Sequence, residues 1–518
     1  MKLILSKKIP YNRLKADALV VPLFKGEKES VYALPVSVKK IVAAVIASKE
    51  FQGGAMETQL VHTGGNGVSR VCLLGLGEKK ECSLDIVQRA YGTAIMRLKK
   101  AKAKSVVLLV REDAVSGEAG PGSAGKDKAV ADIVGAIATG VRIANYHTHE
   151  YKSKKKELHS IAKCILLVPS TIDRTIKSAL TRAETIVDGL DFVRSISNSP
   201  ANYATPQYVA ESAKELAKKT PGLTVTVFDK KQIEKEKMGG LLAVAQGSQH
   251  EPRFVICEYK GHPCNDDKGA PCRPIVLVGK GITFDTGGIS LKPWKGMEEM
   301  KFDMAGGAAV MATVAIAAKL KLPMHVVGLV PLAENMPSHT AYKPGDVITI
   351  SDGTTVEILS TDAEGRMVLA DGLCYAKKYK PSVVVDVATL TGAIVAALSD
   401  YASGLFTDDD AIALTLERLG KETGDRVWRM PMPKEWADHL KSPVADLRQV
   451  PSARLADATM AALFLKNFSD AKTPWVHIDN AGTAWKTEGY SYAEAGATGA
   501  PVQLLVAWLE DLGKKEVK

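Results

Sequence analysis

The sequence predicts an α/β protein with two domains, a smaller N-terminal α/β domain and a larger C-terminal α/β domain with a mixed central sheet flanked by helices. The chain has 518 residues, more than one ordinary hydrophobic core accommodates. Short β-branched runs alternate with amphipathic helical patterns along both halves, as in sheets covered by helices. Pro200 and Pro206 interrupt the helical pattern between the halves.

The elements of the N-terminal half follow from hydrophobic periodicity, and their alternation predicts a mostly parallel sheet. Residues 112–128 are rich in Gly, Ala, Ser and Asp, so we expect an exposed loop or insertion there. The predicted strands are 18–23, 71–75 and 105–110, and the predicted helices are 36–50 and 84–99.

A long helical pattern at residues 171–197 joins the two halves. We therefore predict an N-terminal domain at 1–175, a linker helix at 176–200 and a C-terminal domain at 201–518. The α/β alternation then restarts, with strands near 254–257, 274–278, 326–330 and 382–386 and helices near 305–320 and 364–377.

The formal net charge of +10 raises the question of a nucleic-acid surface, because clustered Lys and Arg attract phosphate. The basic residues cluster at 99–104 and 152–156, without interleaved aromatic side chains that could stack on bases. We interpret both clusters as a solvated helix end or loop.

Cysteine usage and the N-terminus predict a cytoplasmic protein with no membrane segment. Seven scattered cysteines, mostly in apolar segments, indicate reduced buried thiols, and Cys257, Cys264 and Cys272 lack the C-x2-C spacing of a zinc site. The first apolar run ends at Lys7, too early for a secretory signal, and we find no run of about 18 uncharged apolar residues.

Charged residues follow the strand predicted at 274–278. Lys280 and Asp285 lie in the glycine-rich stretch directly after it, and Lys292 and Asp303 come next. In open α/β sheets ligand sites collect where strands end, and glycine lets the backbone approach a ligand closely. These four residues are therefore candidates for a functional site.

A second charged segment, residues 360–366, follows a strand-like run at 355–359 and precedes a predicted helix. In extended backbone, residues two apart point the same way, so Asp362 and Glu364 can present their carboxylates to one point.

The candidate carboxylates would repel one another and be costly to bury unless cations neutralised them. Oxygen ligands suit divalent cations, and metal pairs about 3.5 to 4 Å apart recur in hydrolases. Two-metal hydrolysis is therefore our interpretation of the residues. The four carboxylates are Asp285, Asp303, Asp362 and Glu364.

Each motif alone also has a purely structural interpretation. A lone Asp at a strand end commonly forms a turn or helix cap, Asp362 could cap the following helix, and Arg366 could pair with Glu364. The metal site is favoured because lysines, carboxylates and glycines occur together in two segments. A two-metal phosphoesterase could use the same carboxylates and stays an alternative. The sequence has no Walker-type phosphate loop and no G-x-S-x-G elbow.

These stretches closely resemble the leucyl aminopeptidase family of metallopeptidases, the cytosol aminopeptidases. The resemblance covers about residues 198–512 and implies that the C-terminal domain is catalytic, removing single residues from the N-termini of peptides. The matching stretches are 278–288, 300–306, 361–366, 386–392 and 496–499.

The resemblance implies two divalent metal ions per subunit, Zn²⁺ or Mn²⁺, with Mg²⁺ as a further candidate. Lys280 would bind as a neutral amine, so metal affinity should rise with pH. The first metal would be bound by Lys280, Asp285, Asp303 and Glu364, and the second by Asp285, Asp362 and Glu364.

The resemblance also implies that metal-activated water attacks the first peptide carbonyl and that Lys292 stabilises the developing oxyanion. Bicarbonate held by Arg366 and Leu390 would transfer the proton, and the two-pronged guanidinium suits this planar anion.

The substrate pocket implied by the resemblance is mostly apolar and favours Leu or Met as the N-terminal residue. The family usually has Asn at the position of Ser360, so the shape of the pocket there is expected to differ. The residues implied to contact substrate are Met300, Ser360, Thr389, Gly392 and Ala393.

Family members assemble as homo-hexamers that are dimers of trimers. The resemblance implies the same assembly here, for an enzyme whose partners are peptide substrates.

A DNA-binding or regulatory protein with a secondary peptidase site is the alternative from another class, because some bacterial relatives also bind DNA. The basic clusters at 99–104 and 152–156 are its only support.

Overall fold

The contacts within the chain divide it into two units, Met1–Asp188 with Thr487–Ala495, and Gly189–Lys486 with Gly496–Lys518. The two-domain α/β class predicted from the sequence is confirmed. The domain limits predicted from the sequence stay a prediction. The structure is a computed structural model that describes residues 1–7, 15–27, 34–64, 67–115, 123–148, 151–153, 159–261, 273–451 and 456–516.

The N-terminal unit is built on a sheet of six described strands in the order β1-β6-β5-β2-β4-β3, parallel except for the antiparallel pair β3 and β4. Strand β2 is buried along its whole length, as expected where helices cover both faces. The strands are β1 (Lys2–Ser6), β2 (Ala18–Leu23), β3 (Thr58–His62), β4 (Arg70–Gly75), β5 (Ser105–Leu109) and β6 (Lys163–Leu167), and the helices are α1 (Val36–Ala47), α2 (Leu84–Lys100) and α3 (Ser123–Asn145).

The prediction of a loop at 112–128 is wrong for residues 123–128, because α3 begins at Ser123. Glycine and polar residues suggested a loop, but they form the first turns of a helix whose regular apolar positions begin near Val130. Residues 116–122 of that expected loop lie outside the described residues.

The predicted linker helix is part of one longer helix, α4 (Arg174–Asn198), which follows β6. The boundary between the two units falls within this helix, after Asp188.

The C-terminal unit contains a mixed sheet of nine described strands, eight of them in the order β16-β15-β18-β14-β9-β11-β8-β7, with β10 paired to β11. The strands β18, β14, β9, β11 and β10 run parallel to one another, whereas β7, β8 and β15 make antiparallel pairs. The strands are β7 (Leu223–Phe228), β8 (Arg253–Lys260), β9 (Ile275–Gly279), β10 (Gly281–Asp285), β11 (His325–Asn335), β12 (Val347–Thr349), β13 (Thr355–Glu357), β14 (Val383–Ala388), β15 (Ser403–Phe406), β16 (Val427–Arg429), β17 (Leu447–Arg448), β18 (Trp475–Asp479), β19 (Trp485–Lys486) and β20 (Gly496–Ala497).

Helices surround this sheet, and the smaller sheets β12-β13-β17 and β19-β20 lie outside it. Helix α5 (Pro206–Lys218) begins directly after the break at Pro200–Pro206. The side chain of Thr205 caps it and Pro206 is its first residue, which is why helical structure restarts there. The helices are α5 (Pro206–Lys218), α6 (Lys230–Lys235), α7 (Gly239–Ala245), α8 (Ala305–Leu320), α9 (Glu364–Ala376), α10 (Gly392–Leu398), α11 (Asp410–Thr423), α12 (Asp457–Lys466) and α13 (Val502–Glu516).

Helix α8 packs directly on the strand ends because its first turn is made of small residues. A Cβ on Gly306 would lie 2.2 Å from the carbonyl oxygen of Val387, and one on Gly307 would lie 2.6 Å from Val330 Cγ1. Within the described residues one helical stretch, Met297–Leu320, is long and apolar enough to cross a membrane, but its apolar window is 89% buried in the protein. It therefore has the burial of a core helix.

The five described cysteines, Cys72, Cys82, Cys164, Cys257 and Cys374, are free and buried, as predicted. Cys264 and Cys272 lie outside the described residues.

The basic cluster at 99–104 is only partly a solvated surface. Lys99 is 7% exposed, and its Nζ donates to the carbonyls of Ala144 and Tyr146, so the expectation of solvation is wrong for this residue. Residues 154–158 lie outside the described residues.

Candidate active site

The polar residues of the candidate site lie at the carboxyl ends of the parallel strands in the C-terminal unit. Lys280 directly follows β9, Asp285 ends β10, Asn335 ends β11, Thr389 directly follows β14, and Asp479 ends β18. The carboxyl edge of a parallel sheet is the usual place for ligands in α/β folds, because the side chains of neighbouring strands converge there.

Three carboxylates meet at this edge. Asp285, Asp303 and Glu364 are buried, and each offers an oxygen within 4.8 Å of the others. Lys280 Nζ lies 2.8 Å from Asp303 Oδ2 and 2.9 Å from Glu364 Oε1, and it donates to the carbonyl of Thr389 at 2.9 Å. Three distant segments of the chain therefore supply one buried acidic cluster.

Asp362 lies at the edge of this cluster. Its side chain is 37% exposed and forms an ion pair with Lys292. Lys292 Nζ is also 3.0 Å from Asp285 Oδ2, so it links the exposed carboxylate to the buried ones. Lys292 itself is 22% exposed, and it is the more accessible of the two site lysines.

The expectation that residues 360–364 are extended is wrong. The Ala363 amide donates to the carbonyl of Ser360 in a turn, and Glu364 is the first residue of α9. The carboxylates of Asp362 and Glu364 therefore reach the site from a turn and a helix, and they pair with different lysines.

The segment before α8 is tied to the loop after β14. Asp303 follows a short 3-10 helix, Met297–Phe302, and Thr389 Oγ1 donates to Asp303 Oδ1 at 2.7 Å. Met300 packs in a small apolar cluster with Phe302 and Trp485.

The other residues implied to contact substrate lie at the start of α10, directly after this loop, or in the turn that carries Asp362. Gly392 is exposed, and a Cβ there would have no neighbouring atom within 4 Å, so it faces open space. Ala393 and Leu390 are half-buried. Ser360 is also half-buried, and its carbonyl accepts from Gln449 Nε2 at 2.8 Å.

Arg366 is buried on the first turn of α9 and has no described contact with the carboxylate cluster. Its Nη1 donates to the carbonyl of Gln449 at 2.7 Å, and its Nη2 lies 3.6 Å from Asp457 Oδ1. Within the part of the chain that the structure describes, its buried Nε has no hydrogen-bond partner. This donor is available to a small polar ligand.

Two buried residues of the site were not identified from the sequence. Asn335 donates to Asp285 Oδ1, and Asp479 accepts from the Leu390 amide at 3.1 Å and from Thr391 Oγ1 at 2.7 Å. Each is a polar residue at the end of a buried strand, the same signal that identified Asp285.

Burial and mutual repulsion make the acidic cluster costly to ionise. Burial raises the pKa of Asp303, Glu364 and Asp362, and the charge of Asp285 raises each further. Burial lowers the pKa of Lys280, but the charges of Asp303 and Glu364 outweigh it and hold that pKa above its ordinary value.

The donor set fits divalent cations. Fully ionised, the four carboxylates and the two lysines would leave two negative charges in a largely buried site. Cations would relieve this repulsion, and carboxylate oxygens suit Mg²⁺, Mn²⁺ and Zn²⁺. A mixed α/β sheet with such a site at its carboxyl edge is the arrangement expected of a metal-dependent hydrolase.

Family comparisons agree with this class. The catalytic domain of the cytosol aminopeptidase family matches residues 191–506, and the N-terminal domain of the same family matches residues 20–155. Curated relatives include a probable cytosol aminopeptidase of Ralstonia pickettii, 42% identical over 96% of both chains, and one of Geobacter sulfurreducens, 41% identical over 90% of both.

Solved structures of similar proteins cover nearly the whole chain. The bottromycin maturation enzyme BotP, also solved in complex with Mn, is 31% identical with a TM-score of 0.82 and covers 96% of this chain and 100% of its own. A mutant of tomato leucine aminopeptidase is 28% identical with a TM-score of 0.84 and covers 99% of this chain and 96% of its own.

The chain belongs to the cytosol aminopeptidase family. Membership implies metal-dependent hydrolysis at the N-termini of peptides, and the family depends on a pair of metal ions.

Proposed function

We propose that this chain is a dinuclear aminopeptidase that removes apolar N-terminal residues, Leu and Met above all, from peptides. The observation that carries the proposal is the meeting of Asp285, Asp303 and Glu364 around Lys280. When bound, the metal pair would activate water and polarise the peptide carbonyl.

Five side chains would hold the two cations. Lys280 and Asp303 would serve one cation and Asp362 the other, with Asp285 and Glu364 shared between them. The position of Asp285 supports this division, because it offers an oxygen within 4.8 Å of oxygens of Asp303 and Glu364 and also shares Lys292 with Asp362.

Lys292 would stabilise the negative charge that develops on the carbonyl oxygen. Its partial exposure lets it face a bound substrate, while Asp285 and Asp362 hold its ammonium group in place. Burial lowers the pKa of Lys292, but the charges of Asp285 and Glu364 outweigh it and raise that pKa, so the positive charge persists at neutral pH.

Arg366 would hold a bicarbonate ion that carries the proton to the leaving amine. Its Nε has no hydrogen-bond partner among the residues that the structure describes, which supports this role. The Leu390 amide already donates to Asp479, so Arg366 would be the principal holder of the anion. Turnover in CO₂-free buffer should recover when bicarbonate is added, and Arg366→Ala should remove that response.

Apolar side chains and open space beside the site support the preference for Leu and Met. Met300 packs with Phe302, Ala484 and Trp485, and Gly392 leaves open space at the start of α10, directly after the loop that carries Thr389. Straight or γ-branched apolar side chains gain most from such a lining.

A panel of aminoacyl amides tests the function. Metal-stripped protein restored with Zn²⁺, Mn²⁺ or Mg²⁺ should hydrolyse Leu and Met amides fastest and leave N-acetyl-leucinamide intact, because its amine is blocked. Hydrolysis of a phosphate ester in place of every amide would favour the phosphoesterase alternative and refute the proposal.

We also propose the homo-hexamer and a cytoplasmic location for this enzyme. Large apolar side chains that are exposed on the single chain, such as Trp294, Leu414 and Trp428, support assembly. Light scattering should give six times the mass of the chain, and a monomeric mass at micromolar concentration would contradict it.

A further inference from the structure

Asn335 joins the two segments of the chain that carry the candidate ligands Asp285 and Asp362. Its Nδ2 donates to Asp285 Oδ1 at 2.8 Å and to the carbonyl of Thr361, the residue before Asp362, at 3.0 Å. Asn335 is 1% exposed, so these hydrogen bonds are shielded from bulk solvent. One amide group therefore fixes both segments.

The backbone of Asn335 adds to this connection. Its carbonyl accepts from the amide of Thr286 at 3.1 Å and from Thr286 Oγ1 at 2.8 Å. Asn335 and Asp285 are also register partners where β10 pairs with β11, just after an irregularity in the pairing. The end of β11 therefore determines where the end of β10 lies.

The two oxygens of Asp285 have different partners. Oδ1 accepts from Asn335 Nδ2 and from the amide of Gly287, both at 2.8 Å, whereas Oδ2 faces Lys292 Nζ at 3.0 Å. Neutral donors thus occupy one oxygen, and the other is directed toward the charged groups of the site. A carboxylate held this way keeps its other oxygen, Oδ2, for the cations.

Only an amide of this size satisfies both contacts. Aspartate at residue 335 would place an acceptor against Asp285 Oδ1, and leucine would leave the buried Thr361 carbonyl with one donor fewer. The Oδ1 of Asn335 is buried and has no hydrogen-bond partner among the described residues. The donor end of this amide, and not its acceptor end, therefore makes its described contacts.

We propose that Asn335 is a positioning residue that orients Asp285 for metal binding and fixes the turn that carries Asp362. This inference rests on the proposed metal site. It predicts that loss of the amide changes the free energy of metal binding by more than the free energy of unfolding. Hydrogen-bond partners of metal ligands typically contribute about 10- to 100-fold in affinity.

Calorimetric titration of the metal-stripped full chain with Mn²⁺ tests the inference. Wild-type protein should bind two Mn²⁺ ions per chain, and Asn335→Leu, which is close to isosteric, should bind them about 10- to 100-fold more weakly. Asn335→Ser provides a second variant that keeps a small polar side chain if the leucine variant does not fold. If wild-type protein binds no Mn²⁺, the proposed function fails; if it binds two and both folded variants match it, the role of Asn335 fails.

Tyr342→Phe is the matched control. The Tyr342 hydroxyl donates to the same Thr361 carbonyl at 3.0 Å but makes no described contact with Asp285. Its loss should lower the urea midpoint and change Mn²⁺ affinity by less than about threefold, because Asp285 Oδ1 keeps both of its donors in this variant. An equal loss of Mn²⁺ affinity in Tyr342→Phe would assign the effect to the Thr361 carbonyl and overturn the role in orienting Asp285.

Discussion

Gly365 leaves the space through which the side chain of Lys280 reaches the site. A Cβ at Gly365 would lie 2.5 Å from Lys280 Cε and 2.7 Å from its Nζ. Lys280 cannot easily move aside, because its Nζ is held by Asp303, Glu364 and the carbonyl of Thr389. The glycine next to Glu364 is therefore required by a neighbouring segment of the chain and not by its own helix.

Gly365→Ala should lower kcat/KM by about 100-fold, the effect expected of a displacement near 1 Å at a reacting centre. The urea midpoint should change little, because the preference of a helix for alanine over glycine, about 1 kcal/mol, offsets part of the strain from this contact. Gly372→Ala on the same helix is the control: its Cβ would meet Val278 Cγ1 at 2.7 Å in the core, so the urea midpoint should fall while kcat/KM stays near the wild-type value. Equal kcat/KM in Gly365→Ala and wild type would contradict the steric role.

Metal affinity should rise with pH. In the metal-free protein the pKa of Lys280 lies above its ordinary value, so a metal that binds its nitrogen must displace a proton. The raised pKa of Asp303 acts in the same direction. Apparent Mn²⁺ affinity should increase by up to about tenfold per pH unit for each proton displaced, between about pH 6 and about pH 8, with proton release seen in buffers of different ionisation enthalpy. An affinity independent of pH would exclude Lys280 as a ligand.

Asp285→Ala and Glu364→Ala should each abolish turnover, because each removes a ligand proposed to serve both cations. Hydrolysis of leucinamide and Mn²⁺ stoichiometry are the measurements. Glu215→Ala, which removes a carboxylate paired with Lys218 on the surface of α5, should keep full activity. Undiminished turnover in either site variant would refute the metal assignment.

Ser360→Asn should change selectivity among N-terminal residues without changing Mn²⁺ affinity. The side chain of Ser360 accepts from the amide of Asp362 at 3.3 Å but makes no described contact with the cluster carboxylates. A longer amide would reshape the pocket, and we expect the ratio of kcat/KM for Leu and Ala amides to shift by about tenfold. A uniform fall for all amides would argue against a place in the substrate pocket.

Glu494 should stabilise the N-terminal unit in a pH-dependent way. Burial raises its pKa, but hydrogen bonding with His147 and the charge of Lys99 outweigh burial and hold the pKa at about 2. Since this value lies below the ordinary 4.5, its contribution, on the order of 3 kcal/mol, is fully present above about pH 5 and lost as pH falls toward 2. Glu494→Gln should lower the urea midpoint at neutral pH, and its difference from wild type should shrink in acid. A constant difference would contradict the shifted pKa.

Three of the strands and two of the helices that position the site were predicted from apolar runs, namely β9, β11, β14, α8 and α9, whereas the short strands β10 and β18 were not. Helix α8 was predicted with its observed limits, since the apolar run that forms it is unbroken. The turn at Ser360–Ala363 was not predictable, because no glycine or proline marks it and the strand-like run before it suggested extended backbone. Propensity alone does not reveal a turn that tertiary contacts impose.

The residues that support the site were harder to find than the residues that form it. Asp285 and Lys280 stand out because charge follows an apolar strand, whereas Asn335 is neutral and Asp479 occurs far from any recognised motif. Both residues end buried strands, a signal that the sequence contains, but their partners lie about 50 and 90 positions away, and local sequence does not identify those contacts.

The close packing of α8 against the sheet affects how the enzyme responds to heat. The Gly307 amide donates to the carbonyl of Lys280 at 2.7 Å, and the Lys280 amide donates to that of Val387 at 3.0 Å, all within the apolar interior. These amides can meet solvent only if α8 and the sheet separate. Their hydrogen exchange should therefore require cooperative opening of the whole C-terminal unit. Thermal inactivation should accordingly coincide with melting and not precede it.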